Sequence, residues 1–336
     1  MKLKAKALWG AAALALMASS ATAADLACLI TKNNTNPFFV KMKEGAEAAA
    51  TAAGLDFKAY AGEKDGDAAP QITAIENCVA AGAKGILITP SNDSVGPALK
   101  DARAAGILVI ALDTPLADTE AQDITFATDN FEAGLLIGKW AKATLGDAAA
   151  TAKIGMLDIN KDNISVDVQR DTGFLVGFGI EVPDLKVMGS ETDARVIGHE
   201  SSDANNEGGL RAMETLLAKD PDINVVYTIN EPAAEGAYQA LEAAGKEGVL
   251  VVSVDGGCPG VASVKAGVIG ATSQQYPLKM AGLGIDAIAA FAKDGTKPSV
   301  SDGLTFFNTG VNLITDKPAE GVPSLDTTKG TELCWG

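Results

Sequence analysis

Short apolar runs alternate with alanine-rich helical runs along almost the whole chain, and this alternation leaves few folds open. The first run, Leu26–Thr31, leads into a polar loop through Pro37 and then into residues in helical period. Apolar runs of this length, bounded by turn signals, read as strands buried on both faces, the setting of a parallel sheet. Leu55–Tyr60, Gly85–Thr89 and Ile107–Leu112 continue the series, with helices expected near 38–53, 68–81 and 94–105. A second series has strands expected at Lys153–Leu157, Lys186–Gly189, Ile223–Ile229 and Val249–Val254, and helices near 167–178, 205–219 and 233–244. Joints this short argue right-handed crossovers between parallel strands. The expected fold is α/β, with two similar doubly wound parallel-sheet lobes.

The last part is less regular. A strand is expected at Ile269–Ser273, a helix at Pro277–Lys293, and strands at Leu304–Phe307 and Val311–Ile314 with no helix between them. A chain that returns to the first lobe and crosses back accounts for this order. Crossings are expected near Thr128-Asp129, Gln275-Tyr276 and Asn308-Thr309. The chain then divides into a leader (1–23), an N-terminal lobe (24–128 plus 276–308) and a C-terminal lobe (129–275 plus 309–336), the lobes joined by a three-crossing hinge.

Lys2, Lys4 and Lys6 precede an apolar stretch, Ala7–Met17, and Ala21-Thr22-Ala23 offers an A-x-A cleavage site. This is the pattern of a secretory signal peptide, so export to the periplasm and a mature chain starting at Ala24 are expected. The stretch is short of the roughly 20 residues a bilayer span needs. No other run is long enough to cross, so the mature protein is expected to be soluble and not membrane-embedded. Losing three lysines takes the formal charge from −16 to −19. Such a surface repels nucleic acid and anionic lipid, so neither is an expected partner.

Four cysteines in an exported chain suggest two disulfides, with three pairings open. A Cys258–Cys334 bridge would hold the C-terminal tail; Cys28 and Cys78 read either as a second bridge or as two buried thiols. There is no C-x-x-C spacing, and no metal or cofactor is expected. The single histidine, His199, lies in a polar stretch and reads as an exposed loop residue. Asp158-Ile159-Asn160-Lys161-Asp162 begins like a calcium loop, but Asn163 stands at the turn glycine and Gln169 at the closing glutamate. The loop after the first strand has no glycine between Thr31 and Phe39, which excludes a dinucleotide fingerprint.

Open α/β sheets bind ligands at the carboxyl ends of their strands. There the first lobe offers Lys32, Asn36, Phe38, Phe39, Asp113 and Thr114, and the second offers Asn230, Glu231 and Asp255. Gln275 sits at a crossing, and Arg170 lies on the helix after Asp158. Planar Asn, Asp, Gln and Arg groups can engage adjacent sugar hydroxyls in pairs, while rings cover an apolar sugar face. Buried hydrogen bonds to charged groups contribute roughly 1.5–3 kcal/mol each, and an unmatched hydroxyl costs a comparable amount, which discriminates epimers. Each residue also has a plainer reading. Asp113, Asp255 and Asn230 could be helix N-caps. Phe38 or Phe39 could be core, and Arg170 could pair with Asp167 or Asp171 on the surface. Asp113 with Asp255 could also form a glycosidase carboxylate pair.

Asn36-Pro37-Phe38-Phe39, Leu112-Asp113-Thr114, Arg170 before Gly173-Phe174, Asn230, Val254-Asp255-Gly256 and Gln275-Tyr276-Pro277 resemble, in order and spacing, the ribose-type periplasmic sugar-binding proteins. These are the exported receptors of ABC importers, and the resemblance covers essentially the whole mature chain. Thr35-Asn36-Pro37-Phe38-Phe39-Val40, Leu112-Asp113-Thr114-Pro115 and the cysteine pattern look most like the fructose-binding subgroup. The resemblance implies a monomeric receptor without catalysis that closes its hinge on a monosaccharide and docks on a permease. It implies that Lys32, Asn36, Asp113, Arg170, Asn230, Asp255 and Gln275 hold hydroxyls, and that Phe38 and Phe39 flank the ring. Two departures point away from ribose and permit a hexose. Thr114 stands where ribose-specific members carry Arg, and Ala204 where they carry a stacking Phe. The expected ligand is fructose, with ribose or mannose behind it; presenting a sugar or furanosyl signal to a chemoreceptor, or a glycosidase-like activity, are the alternatives.

Overall fold

The structure, a computed structural model, describes residues 24–336, so the leader and its cleavage after Ala23 lie outside the described residues. In chain order the first part comprises β1 (Leu26–Thr31), α1 (Pro37–Ala53), β2 (Asp56–Ala61), α2 (Ala69–Ala80), β3 (Gly85–Ile88), α3 (Gly96–Ala104), β4 (Leu108–Leu112) and β5 (Ile124–Ala127). Then come α4 (Asn130–Leu145), β6 (Ile154–Asp158), α5 (Ser165–Phe178), β7 (Val196–Ser201), α6 (Asn206–Lys219), β8 (Val225–Thr228), α7 (Glu231–Ala243), β9 (Leu250–Asp255), α8 (Cys258–Ala266) and β10 (Ala271–Gln274). The chain ends with α9 (Pro277–Asp294), β11 (Phe307–Asn308), β12 (Asn312–Ile314) and α10 (Thr327–Leu333).

Two six-stranded sheets share one layout: β2-β1-β3-β4-β5-β11 in the first and β7-β6-β8-β9-β10-β12 in the second. All neighbours are parallel except β12, which runs antiparallel to β10. The chain passes between the sheets after β5, after β10 and after β11. Strand order reverses between β1 and β3, and again between β6 and β8, and the carboxyl ends of strands at such reversals are where open α/β sheets form a crevice. Helices cover both faces of each sheet, as the continuously apolar central strands require.

The structure corrects several expectations. Lys186–Gly189 is not a strand; Leu185 and Val187 are exposed in the loop after α5, and the edge strand is Val196–Ser201. All six residues of β7 are half-buried, so it carries no apolar run to advertise it. The strand expected at Leu304–Phe307 shrinks to Phe307–Asn308. His199 is not in an exposed loop: it lies on β7, its ring nitrogens facing Asp158 and Glu191. Arg170 does not pair on the surface but is buried under the cleft. Both bridges, Cys28–Cys78 and Cys258–Cys334, are formed. The first ties β1 to α2, and the second ties the tail to α8.

Helices α4 and α5 meet through glycines. A Cβ on Gly134 would overlap the Arg170 carbonyl, one on Gly138 the Phe174 carbonyl, and one on Gly177 the Leu135 carbonyl. This close approach sets the depth of α5, the helix that carries Arg170 into the cleft. Gly134→Ala should therefore lower stability by about 1–3 kcal/mol through overpacking. It should also weaken ligand binding, because the atom displaced belongs to Arg170; urea melts and calorimetric titration check the two effects.

Candidate functional site

The polar residues expected at strand ends come together between the lobes. Lys32, Asn36, Phe38, Phe39, Asp113, Arg170, Asn230, Asp255 and Gln275 line one cavity, joined by Asp65, Ile159, Val166, Ala204 and Ile229. Thr114 is the exception: its hydroxyl donates to Asp113 Oδ2 at 2.9 Å and the residue lines a separate pocket at the cleft mouth. In this arrangement of the lobes the cavity is about 30 Å³.

From the first lobe, Lys32 follows β1 and is almost fully buried, with Nζ 3.9 Å from Asp65 Oδ1. Burial pushes the Asp65 carboxyl up, against the pull of Lys32. Asn36 caps α1, its Oδ1 accepting from the Phe38 amide at 2.9 Å. That leaves its amide nitrogen for another acceptor. Phe38 and Phe39 serve both readings, packing in the first-lobe core while edging the cavity at 5.4 Å between ring centroids. Asp113 follows β4 with φ 64°, a left-handed turn that caps no helix.

The second lobe contributes Arg170, whose guanidinium is the hub. Its Nε donates to Asn130 Oδ1 at 2.8 Å and its Nη1 to the Ile229 carbonyl at 3.1 Å. Nη2 reaches across to Asp113 Oδ1 at 3.4 Å and to Gln275 Oε1 at 3.3 Å, while Nη1 lies 4.0 Å from Asp255 Oδ1. The Arg170 guanidinium thus stands between the Asp113 and Asp255 carboxylates. Gln275, in the second crossing, donates to Asp255 Oδ1 at 2.8 Å, and its Oε1 accepts from Thr128 of the first crossing at 3.3 Å. Asn230 does cap α7, accepting from the Ala233 amide, while its Nδ2 holds the Ala204 carbonyl at 3.0 Å. At the rim, Ser165 Oγ donates to the Pro115 carbonyl at 2.7 Å, closing one lobe directly on the other.

Ala204 adopts φ 51° and presents no ring. The second-lobe wall is aliphatic instead, built from Ile159, Val166, Ala204 and Ile229 of one apolar cluster. Sequence reasoning looked for an aromatic partner and missed this wall. It also missed Asn130, which follows the crossing at Thr128-Asp129, and Asp65, in the loop between β2 and α2.

Glu231 lies behind Asp255, accepting from the Gly256 and Gly257 amides and from the Thr272 hydroxyl at 2.7–3.0 Å. It thereby fixes the turn in which Asp255 has φ 142°. Burial, with Asp255 adding repulsion, pushes the Glu231 carboxyl up to about 8; burial likewise pushes Asp255 up, opposed by Arg170. A glutamate in the unfolded chain loses its proton near 4.5, the folded one near 8. Protonation therefore favours the folded state fully below pH 4.5, and that contribution is lost as pH rises to 8. The melting temperature of wild type relative to Glu231→Gln should fall across this window; a constant difference would mean that Glu231 stays ionised.

The geometry agrees with comparisons to known proteins. A family model described as "Periplasmic binding protein domain" matches residues 27–297. The ribose import binding protein of Haemophilus influenzae is 32% identical over 270 residues, covering 80% of this chain and 86% of the relative. The D-allose-binding periplasmic protein of Escherichia coli is 26% identical over 283 residues, covering 83% and 88%. An ABC transporter solute binding protein from Agrobacterium vitis with bound D-fucose matches the fold with a TM-score of 0.75, over 92% of this chain and 100% of that one, at 23% identity. With a family model over most of its length and a relative above 30% identity, the chain belongs to the periplasmic binding proteins, in their ribose-type sugar-binding branch.

Proposed function

We propose that this chain binds one monosaccharide in the interlobe cleft, in the periplasm, and delivers it to an inner-membrane ABC permease. The observation that carries the reading is convergence: hydrogen-bonding side chains from both lobes and from a crossing meet in one buried cavity flanked by two phenylalanine rings. Relatives named for ribose and D-allose support a small polyhydroxylated ligand. Among the described residues no helix is long and apolar enough to cross a membrane. The lobes, 24–128 plus 276–308 and 129–275 plus 309–336, close about the three crossings. Ligand shifts that equilibrium only by its greater affinity for the closed form.

Fructose is the first candidate, with ribose and mannose next. The Thr114 hydroxyl turned onto Asp113, and the methyl of Ala204 in place of a ring, favour a ligand bulkier than a pentose. Thermal unfolding of the ligand-stripped mature chain against a monosaccharide panel tests the assignment. A sugar at 100 times its dissociation constant adds about 2.7 kcal/mol, a rise of a few degrees. A rise with fructose and none with glucose is the expected pattern; a larger rise with ribose would reassign the ligand, and none with any sugar would remove the sugar reading.

A further inference from the structure

Behind the aliphatic wall lies a second group of polar side chains with no part in the cleft. Asp158 ends β6, Asp167 and Asp171 lie on α5, Glu191 precedes β7, His199 is on β7 and Tyr227 on β8. His199 Nδ1 is 2.8 Å from Asp158 Oδ2 and 3.5 Å from Asp171 Oδ2. One donor atom from each of these three residues lies within 4.8 Å of the others. Ten buried side-chain polar atoms lack a hydrogen-bond partner among the described residues. Six of them are here: Asp158 Oδ1, Asp167 Oδ1, both Asp171 carboxylate oxygens, Glu191 Oε2 and the Tyr227 hydroxyl. Buried polar groups are nearly always satisfied, so such a concentration calls for an explanation. Asp171 is fully buried and aims an unpartnered oxygen at the imidazole. Tyr227, on another strand and outside the donor set, is also fully buried and within the field of Asp158, Asp167 and Asp171.

We propose that Asp158, Asp171 and His199 form a site for a divalent transition-metal ion, with Zn²⁺ the best-matched probe. An imidazole nitrogen with two carboxylates disfavours Ca²⁺ and Mg²⁺, which take oxygen donors, and suits Zn²⁺. Ligand bonds near 2.0–2.2 Å place tetrahedral donors roughly 3.3 Å apart, between the two separations seen here. Glu191 Oε1, 2.9 Å from His199 Nε2, supplies the carboxylate that orients a metal-bound imidazole. A solvent pocket of about 190 Å³, lined by Asp158, Lys161, Met188, His199 and Ser201, gives an approach and a water for the fourth position. The ion replaces the direct hydrogen bond between Nδ1 and Asp158. Of these donors the calcium-loop reading of Asp158–Asp162 uses only Asp158.

The site also buttresses the aliphatic wall of the cleft. Asp167 Oδ2 accepts from the Ile159 amide at 2.7 Å, and the Asp158 carbonyl accepts from Ser202 Oγ at 2.7 Å, next to Asp203-Ala204. The test is calorimetric titration of the EDTA-treated mature chain with ZnCl₂ and, separately, CaCl₂. One Zn²⁺ per chain is expected, with a rise in melting temperature and no saturable Ca²⁺ binding. Asp171→Asn and His199→Gln should each weaken Zn²⁺ about tenfold or more. Should either variant fail to fold by circular dichroism, Co²⁺ added to wild type should show the visible absorption of a low-coordinate nitrogen–oxygen site. No saturable Zn²⁺ binding, binding unchanged in both variants, or only the spectrum of hydrated Co²⁺ would overturn the proposal. Because the readout is metal binding, it stands or falls apart from the sugar assignment.

Discussion

Arg170→Ala should lower monosaccharide affinity by a factor on the order of a thousand while leaving the chain folded. In the closed arrangement the guanidinium neutralises Asp113 from one lobe and stands beside Asp255 in the other, all three nearly inaccessible to solvent. Removing one partner of a buried ion pair costs about 3–5 kcal/mol, because the remaining charge stays desolvated. Here the cost falls on closure. With the lobes apart the cleft carboxylates face water and need no counter-ion, so the penalty appears in binding and not in folding. At about 1.4 kcal/mol per decade the loss is two to three and a half orders of magnitude. Calorimetric titration beside a thermal melt separates the effects. Affinity within tenfold of wild type would remove Arg170 from the site; a collapsed melt would make it a structural residue.

Replacing Cys258 and Cys334 by serine is the second large effect. The bridge closes 76 residues, a loop whose entropy in the unfolded chain is worth roughly 4 kcal/mol. The local consequence is more specific. Cys334 precedes Trp335, whose indole N–H donates to the Gln275 carbonyl at 2.7 Å and whose ring meets Phe38 edge-on at 5.6 Å. Bound to the second lobe through the bridge, the tail thus packs against a first-lobe ring and a crossing segment. Without the bridge, α10 stays anchored through Gln274 donating to the Gly330 carbonyl at 3.0 Å, but beyond it Trp335 keeps only one backbone hydrogen bond from Cys258 and the indole contacts. The described chain has two tryptophans, Trp140 fully buried and Trp335 nearly so. Acrylamide quenching should therefore be weak in wild type and rise sharply in the double variant, together with a lowered urea midpoint. Unchanged quenching would show that packing alone retains the tail.

Much of this architecture was legible because buried parallel strands write continuous apolar runs and their carboxyl ends carry polar residues. Position at strand carboxyl ends alone brings Asp113, Asn230 and Asp255 to the cavity they line. What escaped has physical causes. β5 and α4 went unremarked because α4, sandwiched between the second sheet and α5, is buried around much of its circumference and carries no clean amphipathic stripe. Asn130 at its start went with it, although it holds Arg170 Nε. The edge strand β7 is half-polar, so Val196–Ser201 lost out to the more apolar but exposed Lys186–Gly189. His199 was misplaced for the same reason. The second-lobe wall was missed because an aromatic was sought where Ile159, Val166 and Ile229 provide surface from three different elements. The pairing of Cys28 with Cys78 needed the distance between β1 and α2, which spacing alone does not give.

On the proposed function, groups from both lobes jointly hold a single sugar. Isothermal titration of the ligand-stripped mature chain with a monosaccharide series, fructose first, tests it most directly. Saturable binding at one sugar per chain is expected for at least one monosaccharide, and its loss in Arg170→Ala. No binding heat with any monosaccharide, at several temperatures and with the chain folded, would contradict it.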